Sequence, residues 1–203
     1  MLHPLAGAAY ANLTIGLLGG SFNPAHDGHR TISLHALKRL GLDQVWWLVS
    51  PQNPLKPTEG MAALEKRMEE ARLVANNPRI IVTDIEGQMR TRYTIDTLRT
   101  LKKRFPRTNF VWLMGADNFS QLPRWREWSE IFQIVPVAVF RRPAYAAGRG
   151  RGKVSQRFGK HLKPGAHGKK FMRLKPPVWF IMDNRLNNLS ATAIRKERPS
   201  WQS

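Results

Sequence analysis

Six short apolar runs constrain the fold of this chain more than any other feature: 13–19 (LTIGLLG), 45–49 (VWWLV), 80–85 (IIVTDI), 110–114 (FVWLM), 135–140 (VPVAVF) and 178–182 (VWFIM). Each has the length of a strand and is rich in β-branched or aromatic residues. They read as continuous apolar runs, so both faces of each strand should be covered. The segments between them carry the helical period. A helical pattern runs from about Gly28 to Leu40, Leu64, Met68, Ala71 and Ala75 share one face of 62–76, and Ile95, Leu98, Leu101 and Phe105 share one face of 94–105. Strands that alternate with helices and are buried on both faces predict an α/β protein, with an open parallel sheet and helices on both faces.

At 203 residues and 42% hydrophobic content, one domain spanning 1–203 with a substantial core is expected. No apolar run approaches the roughly 18 residues of a membrane span. The start, MLHPLAGAAYANLTIGLLGG, lacks a basic n-region and runs straight into a Gly-rich turn, so it reads as mature sequence. The absence of cysteine excludes disulfides, thiolate zinc sites and cysteine nucleophiles, and fits a reducing cytoplasm.

The net charge of +19 suggests an anionic partner, and its location narrows the choice. Between Arg141 and Lys175 stand 12 of the 33 Lys and Arg residues and no Asp or Glu. A basic insertion at about 143–177, rich in Gly and poor in apolar residues, is expected as a lid, a binding loop or a disordered segment. It holds only five aromatics or histidines, Tyr145, Phe158, His161, His167 and Phe171, and no recognised nucleic-acid-binding module, which disfavours a polynucleotide reading. The phosphates of a small molecule account for the charge as well. A second irregular, exposed loop is predicted over 50–60 (SPQNPLKPTEG), which has three prolines and a glycine.

Gly19 to His29, GGSFNPAHDGH, is the segment with most chemistry. In an open α/β sheet, ligands bind beyond the carboxyl ends of strands, where a Gly-rich first turn lets a phosphate approach backbone amides at the next helix N-terminus. Here the turn also delivers His26 and His29 with Gly28 between them, so both imidazoles can point at one anion, which would favour their protonation. An ordinary turn and helix start is the alternative. A zinc site is a poor fit, since only Asp27 stands near as a carboxylate. The segment is neither the dinucleotide fingerprint nor the P-loop. Near the other end, LSATAIR at 189–195 places Ser190 as an N-cap, Thr192 within the first turn and Arg195 a turn on, a second wall for a phosphate or a plain capped helix.

Together these motifs resemble the nucleotidyltransferase superfamily that pairs G-x-F-x-P-x-H-x-G-H with a terminal [IL]-S-[SA]-T-x-[IL]-R. Within it the chain is most similar to the bacterial nicotinate-nucleotide adenylyltransferase family, through SPQNPLK at 50–56, RYT at 92–94, GADNFSQLPRWREW at 115–128 and RRP at 141–143. The resemblance implies a Rossmann-like fold and transfer of AMP from ATP to nicotinate mononucleotide, with Mg2+ carried on the ATP phosphates and no metal ligand from protein side chains. It implies that His26 and His29 are catalytic and, with Gly20, Ser21, Phe22, Gly28, Gly115, Asp117, Ser190, Thr192 and Arg195, bind ATP. Nicotinate mononucleotide would fall to Asn53, Lys56, Tyr93, Thr94, Trp125 and Arg142. Trp125 and Trp128 also stand at helical spacing, which would fit a core role for Trp125. Pro54-Leu55-Lys56 departs from the Pro-His-Lys run of many relatives and lacks one donor. The rival acceptors are nicotinamide mononucleotide and phosphopantetheine. A homo-oligomer is left open.

Overall fold

The computed structural model describes residues 7–51, 60–141, 152–163 and 174–182. Its strands are β1 (Thr14–Gly20), β2 (Gln44–Val49), β3 (Ile80–Thr83), β4 (Asn109–Gly115), β5 (Val137–Phe140) and β6 (Trp179–Met182). The helices are α1 (Asp27–Arg39), α2 (Leu64–Ala75), α3 (Ile85–Gln88), α4 (Thr94–Arg104), α5 (Ala116–Gln121), α6 (Trp128–Ile134) and α7 (Lys153–Phe158). The six strands form one sheet in the order β3-β2-β1-β4-β5-β6, and every neighbouring pair is parallel. This is the Rossmann-like arrangement, with β1 central and Leu17 facing Trp46 on one neighbour and Trp112 on the other.

The two-residue period of a strand divides each apolar run between two cores. Along β2, Val45, Trp47 and Val49 pack on one face with Ile32, Ala36 and Leu37 of α1 and Ala71 and Ala75 of α2. Trp46 and Leu48 pack on the other with Ile95, Leu98 and Leu101 of α4 and Ile131 and Phe132 of α6. Both faces are therefore dry, as the continuous apolar runs require. The order of strands reverses at β1, with β2 and β3 to one side and β4 to β6 to the other. Such a reversal opens a crevice beyond the carboxyl ends of the two strands that flank it, where Gly20 ends β1 and Gly115 ends β4.

Two expectations change. The run 80–85 is not all strand: β3 stops at Thr83, Asp84 turns the chain, and Ile85 is buried from the first position of α3. The basic stretch is not structureless throughout. Its residues 153–158 form α7, followed by a 3-10 turn at Gly159–His161. Phe158 is 2% exposed and stacks on Phe132 at 4.5 Å, and the Trp179 indole donates to the Phe158 carbonyl at 2.7 Å. Val154 and Phe158, four apart, give a basic helix one apolar edge that the core takes up.

Candidate active site

The loop after β1 is built to fix two imidazoles. His26 is the N-cap of α1 in extended conformation, and its Nδ1 accepts from the Gly28 amide at 3.1 Å. His29 at the third helical position accepts the His26 amide through its own Nδ1 at 3.2 Å, which closes a capping box made of two histidines. An Nδ1 that accepts a hydrogen bond leaves Nε2 as the nitrogen that carries a proton. The two ring centroids stand 3.9 Å apart.

Phe22 supports this arrangement rather than offering its ring to a nucleotide. It is 2% exposed, lies 4.7 Å from the His29 ring and stacks on Trp47 at 5.0 Å. Trp47 donates to the Ser33 hydroxyl at 2.7 Å, and that hydroxyl donates to the His29 carbonyl at 2.8 Å, so α1 is tied to β2 directly beneath the histidines. Gly19 must lack a side chain because a Cβ there would lie 2.6 Å from the Trp112 indole.

A solvent-open cleft adjoins this loop, lined by Gly19, Gly20 and Ser21 on one side and by Tyr93, Thr94 and Trp125 on the other. Thr94 is the first residue of α4, and an amide at that position has no intrahelical acceptor. Trp125 lies between a 3-10 turn (Leu122–Arg124) and α6, outside any helix, and meets Trp112 edge-on at 6.3 Å. Trp125 and Trp128 are both half-buried against the second core, Trp125 also lining the cleft and Trp128 meeting Phe132 and Phe158 edge-on.

Three arginines, Arg92, Arg124 and Arg126, also line the cleft. Arg126 pairs with Asp96 at 3.7 Å and Glu127 at 3.5 Å and stands 4.9 Å over the Tyr93 ring. The one carboxylate in the lining is Glu86, buried, with Oε1 accepting from the Thr97 hydroxyl at 3.2 Å. Burial pushes its carboxyl up to about 7, against the downward pull of hydrogen bonds from Thr97 and Ser50.

Gly115 caps α5 at the end of β4, and Asp117 stands in the first turn of that helix, across the crevice from the β1 loop. Among the described residues there is no group of three or more His, Cys, Asp or Glu able to hold a metal ion, and no helix long and apolar enough to cross a membrane.

The cytidylyltransferase-like family matches residues 17–197. A probable nicotinate-nucleotide adenylyltransferase of Parvibaculum lavamentivorans is 47% identical over 93% of this chain and 94% of its own. Another, of Erythrobacter litoralis, is 48% identical over 95% of this chain and 88% of its own. The chain belongs to the nicotinate-nucleotide adenylyltransferase family. It is an adenylyltransferase of NAD biosynthesis that acts on nicotinate mononucleotide. The fold agrees: the Plasmodium falciparum nicotinic acid mononucleotide adenylyltransferase complexed with NaAD superimposes with a TM-score of 0.68 at 16% identity, over 91% of this chain and 83% of that one.

Of the residues that the sequence suggested for this adenylyltransferase, the structure brings Gly20, Ser21, Tyr93, Thr94 and Trp125 onto one cleft and sets His26, Gly28 and His29 on the adjoining loop. Asn53, Lys56, Arg142, Ser190, Thr192 and Arg195 lie outside the described residues. Glu86, Arg92, Arg124, Arg126 and Arg67 were not anticipated. For Arg67 a signal existed: it lies four residues before Ala71, inside the apolar face of α2, where a cation needs a reason.

Proposed function

We propose that the crevice at the ends of β1 and β4 joins ATP to nicotinate mononucleotide, with the triphosphate on the β1 loop and the pyridine between Thr94 and Trp125. The observation that carries this reading is one cleft walled by the end of β1 and by the open N-terminus of α4. A phosphate oxygen of the mononucleotide attacks the α-phosphorus of ATP, the bond to the β-phosphate oxygen breaks, and pyrophosphate leaves with the electron pair. The attacking oxygen is already anionic, so no general base is required. Catalysis is then positioning and charge stabilisation.

In this scheme the Nε2–H groups of His26 and His29 donate to the phosphates and meet the charge that builds on the leaving pyrophosphate. Gly115 and Asp117 would take the adenosine, and the indole of Trp125 the pyridine face. Asn53, Lys56 and Arg142 are proposed for the mononucleotide, and Ser190, Thr192 and Arg195 for the far side of the triphosphate. Magnesium is read as part of the ATP substrate, held by phosphate oxygens and neutralising their charge.

The arginines favour an acid over an amide acceptor. Arg126 is paired with Asp96 and Glu127, but Arg92 and Arg124 face a described lining whose one carboxylate, Glu86, is raised to about 7, and this gives the cleft a positive field that a nicotinate anion uses and a neutral nicotinamide does not. A cytoplasmic site of action accords with the small-molecule substrates and the cysteine-free sequence. The test is kinetic: His29→Ala should lower turnover about 10²-fold at saturating substrates, as loss of one charge-stabilising donor does, and near-normal turnover would remove His29 from catalysis.

A further inference from the structure

Arg67 is the most deeply buried cation among the described residues, at 1% exposure, and no carboxylate accepts from it there. Its acceptors are four backbone carbonyls. Nη1 donates to Ser21 at 2.7 Å and to Ser50 at 2.8 Å, Nη2 donates to Pro51 at 3.1 Å, and Nε donates to Ala62 at 2.9 Å. These carbonyls belong to three stretches: the loop that carries the histidines, the exit from β2, and the residues leading into α2. Asn23 makes a second tie. Its Nδ2 donates to the Gly60 carbonyl at 2.9 Å and its Oδ1 accepts from the Ala62 amide at 3.2 Å. The chain thus leaves the sheet at Pro51 and returns at Gly60 with both ends fastened to the β1 loop.

A buried charge with only carbonyl partners is costly to desolvate, and burial pushes the Arg67 guanidinium below its ordinary value. Removing the guanidinium would leave four carbonyls without their donor, so its contacts fix where three stretches of backbone stand. The planar five-donor fork of guanidinium can hold several carbonyls in fixed directions, which an ammonium on a flexible stem cannot.

We propose that Arg67 is a positioning residue for AMP transfer, a strut that ties Ser50 and Pro51 at the exit from β2, and Ala62 before α2, to the phosphate-binding loop after β1. This rests on reading the loop after β2 as the acceptor side of the site. In-line displacement requires the attacking oxygen within about 3–3.5 Å of phosphorus, and a misplacement of about 1 Å can cost about 10²-fold. Arg67 touches neither substrate in this scheme. It sets where one substrate's loop stands relative to the other's.

The experiment is steady-state kinetics of Arg67→Lys and Asn23→Ala, together with ATP affinity measured in the absence of acceptor and thermal melts of each variant. Arg67→Lys should keep ATP affinity within about threefold while kcat falls about 10²-fold, and added guanidinium should restore part of the activity of Arg67→Ala. Turnover of a folded Arg67→Lys within threefold of the parent would overturn the proposal. So would a loss of ATP affinity as large as the loss of kcat, which would mean that Arg67 merely supports the first loop. If the Arg67 variants do not fold, Asn23→Ala decides: a raised acceptor KM with unchanged ATP KM supports the strut, and unchanged kinetics removes it. Lys56→Ala, in the same assay, tests the acceptor-loop reading alone, since an unchanged acceptor KM there would detach that loop from the acceptor whatever Arg67 does.

Discussion

The two histidines of the first loop are its structural caps through Nδ1 and, on the proposed reading, its phosphate donors through Nε2–H. Glu86 links stability to pH. An unfolded glutamate loses its proton near 4.5, whereas Glu86 holds its proton until about 7, so the folded state binds more protons between those values. Its contribution to stability is present below about 4.5 and is lost as pH rises through about 7, with an upper size of about 3 kcal/mol. Glu86→Gln should match the parent at pH 4.5 and exceed it in urea melts at pH 8, while an equal difference at both pH values would refute this. Neither Glu86 nor Arg67 was legible as a site residue, because what buries them lies far along the chain: Thr97 for one, Ser21 and Ser50 for the other.

Elements were legible where one period dominated a segment. The six apolar runs, the first loop and the helices α1, α2 and α4 stand within a few residues of their expected bounds, because burial on both faces leaves an unbroken apolar signature. α7 was hidden because six of the twelve residues in 152–163 are Gly, Lys or Arg, and only Val154 and Phe158 mark the helix's buried edge. That edge is integral to the second core. Phe158→Ala should cost about 3–5 kcal/mol, a drop in Tm of about 6–15 °C, whereas a segment loose on the surface would show almost none. The same burial bears on the basic stretch as a nucleic-acid surface. Phe158 stacks on Phe132 inside the core, so it is withheld from any base.

At the scale of the whole molecule, the reversal of strand order at β1 brings together a phosphate loop and an acceptor cleft that are about seventy residues apart in sequence. Topology explains why the motifs converge, and on the proposed reading the charge of the cleft selects the acceptor. Arg92→Ala combined with Arg124→Ala should lower kcat/KM for nicotinate mononucleotide about tenfold or more and leave nicotinamide mononucleotide nearly unchanged, with the loss reduced at high salt. An equal loss for both acceptors would mean that the arginines serve the shared phosphate instead. The most direct test of the account is pyrophosphate release from ATP and magnesium with nicotinate mononucleotide, nicotinamide mononucleotide and phosphopantetheine offered separately at equal concentration. The account predicts that nicotinate mononucleotide has the highest kcat/KM of the three, and a clear preference for either of the others would contradict it.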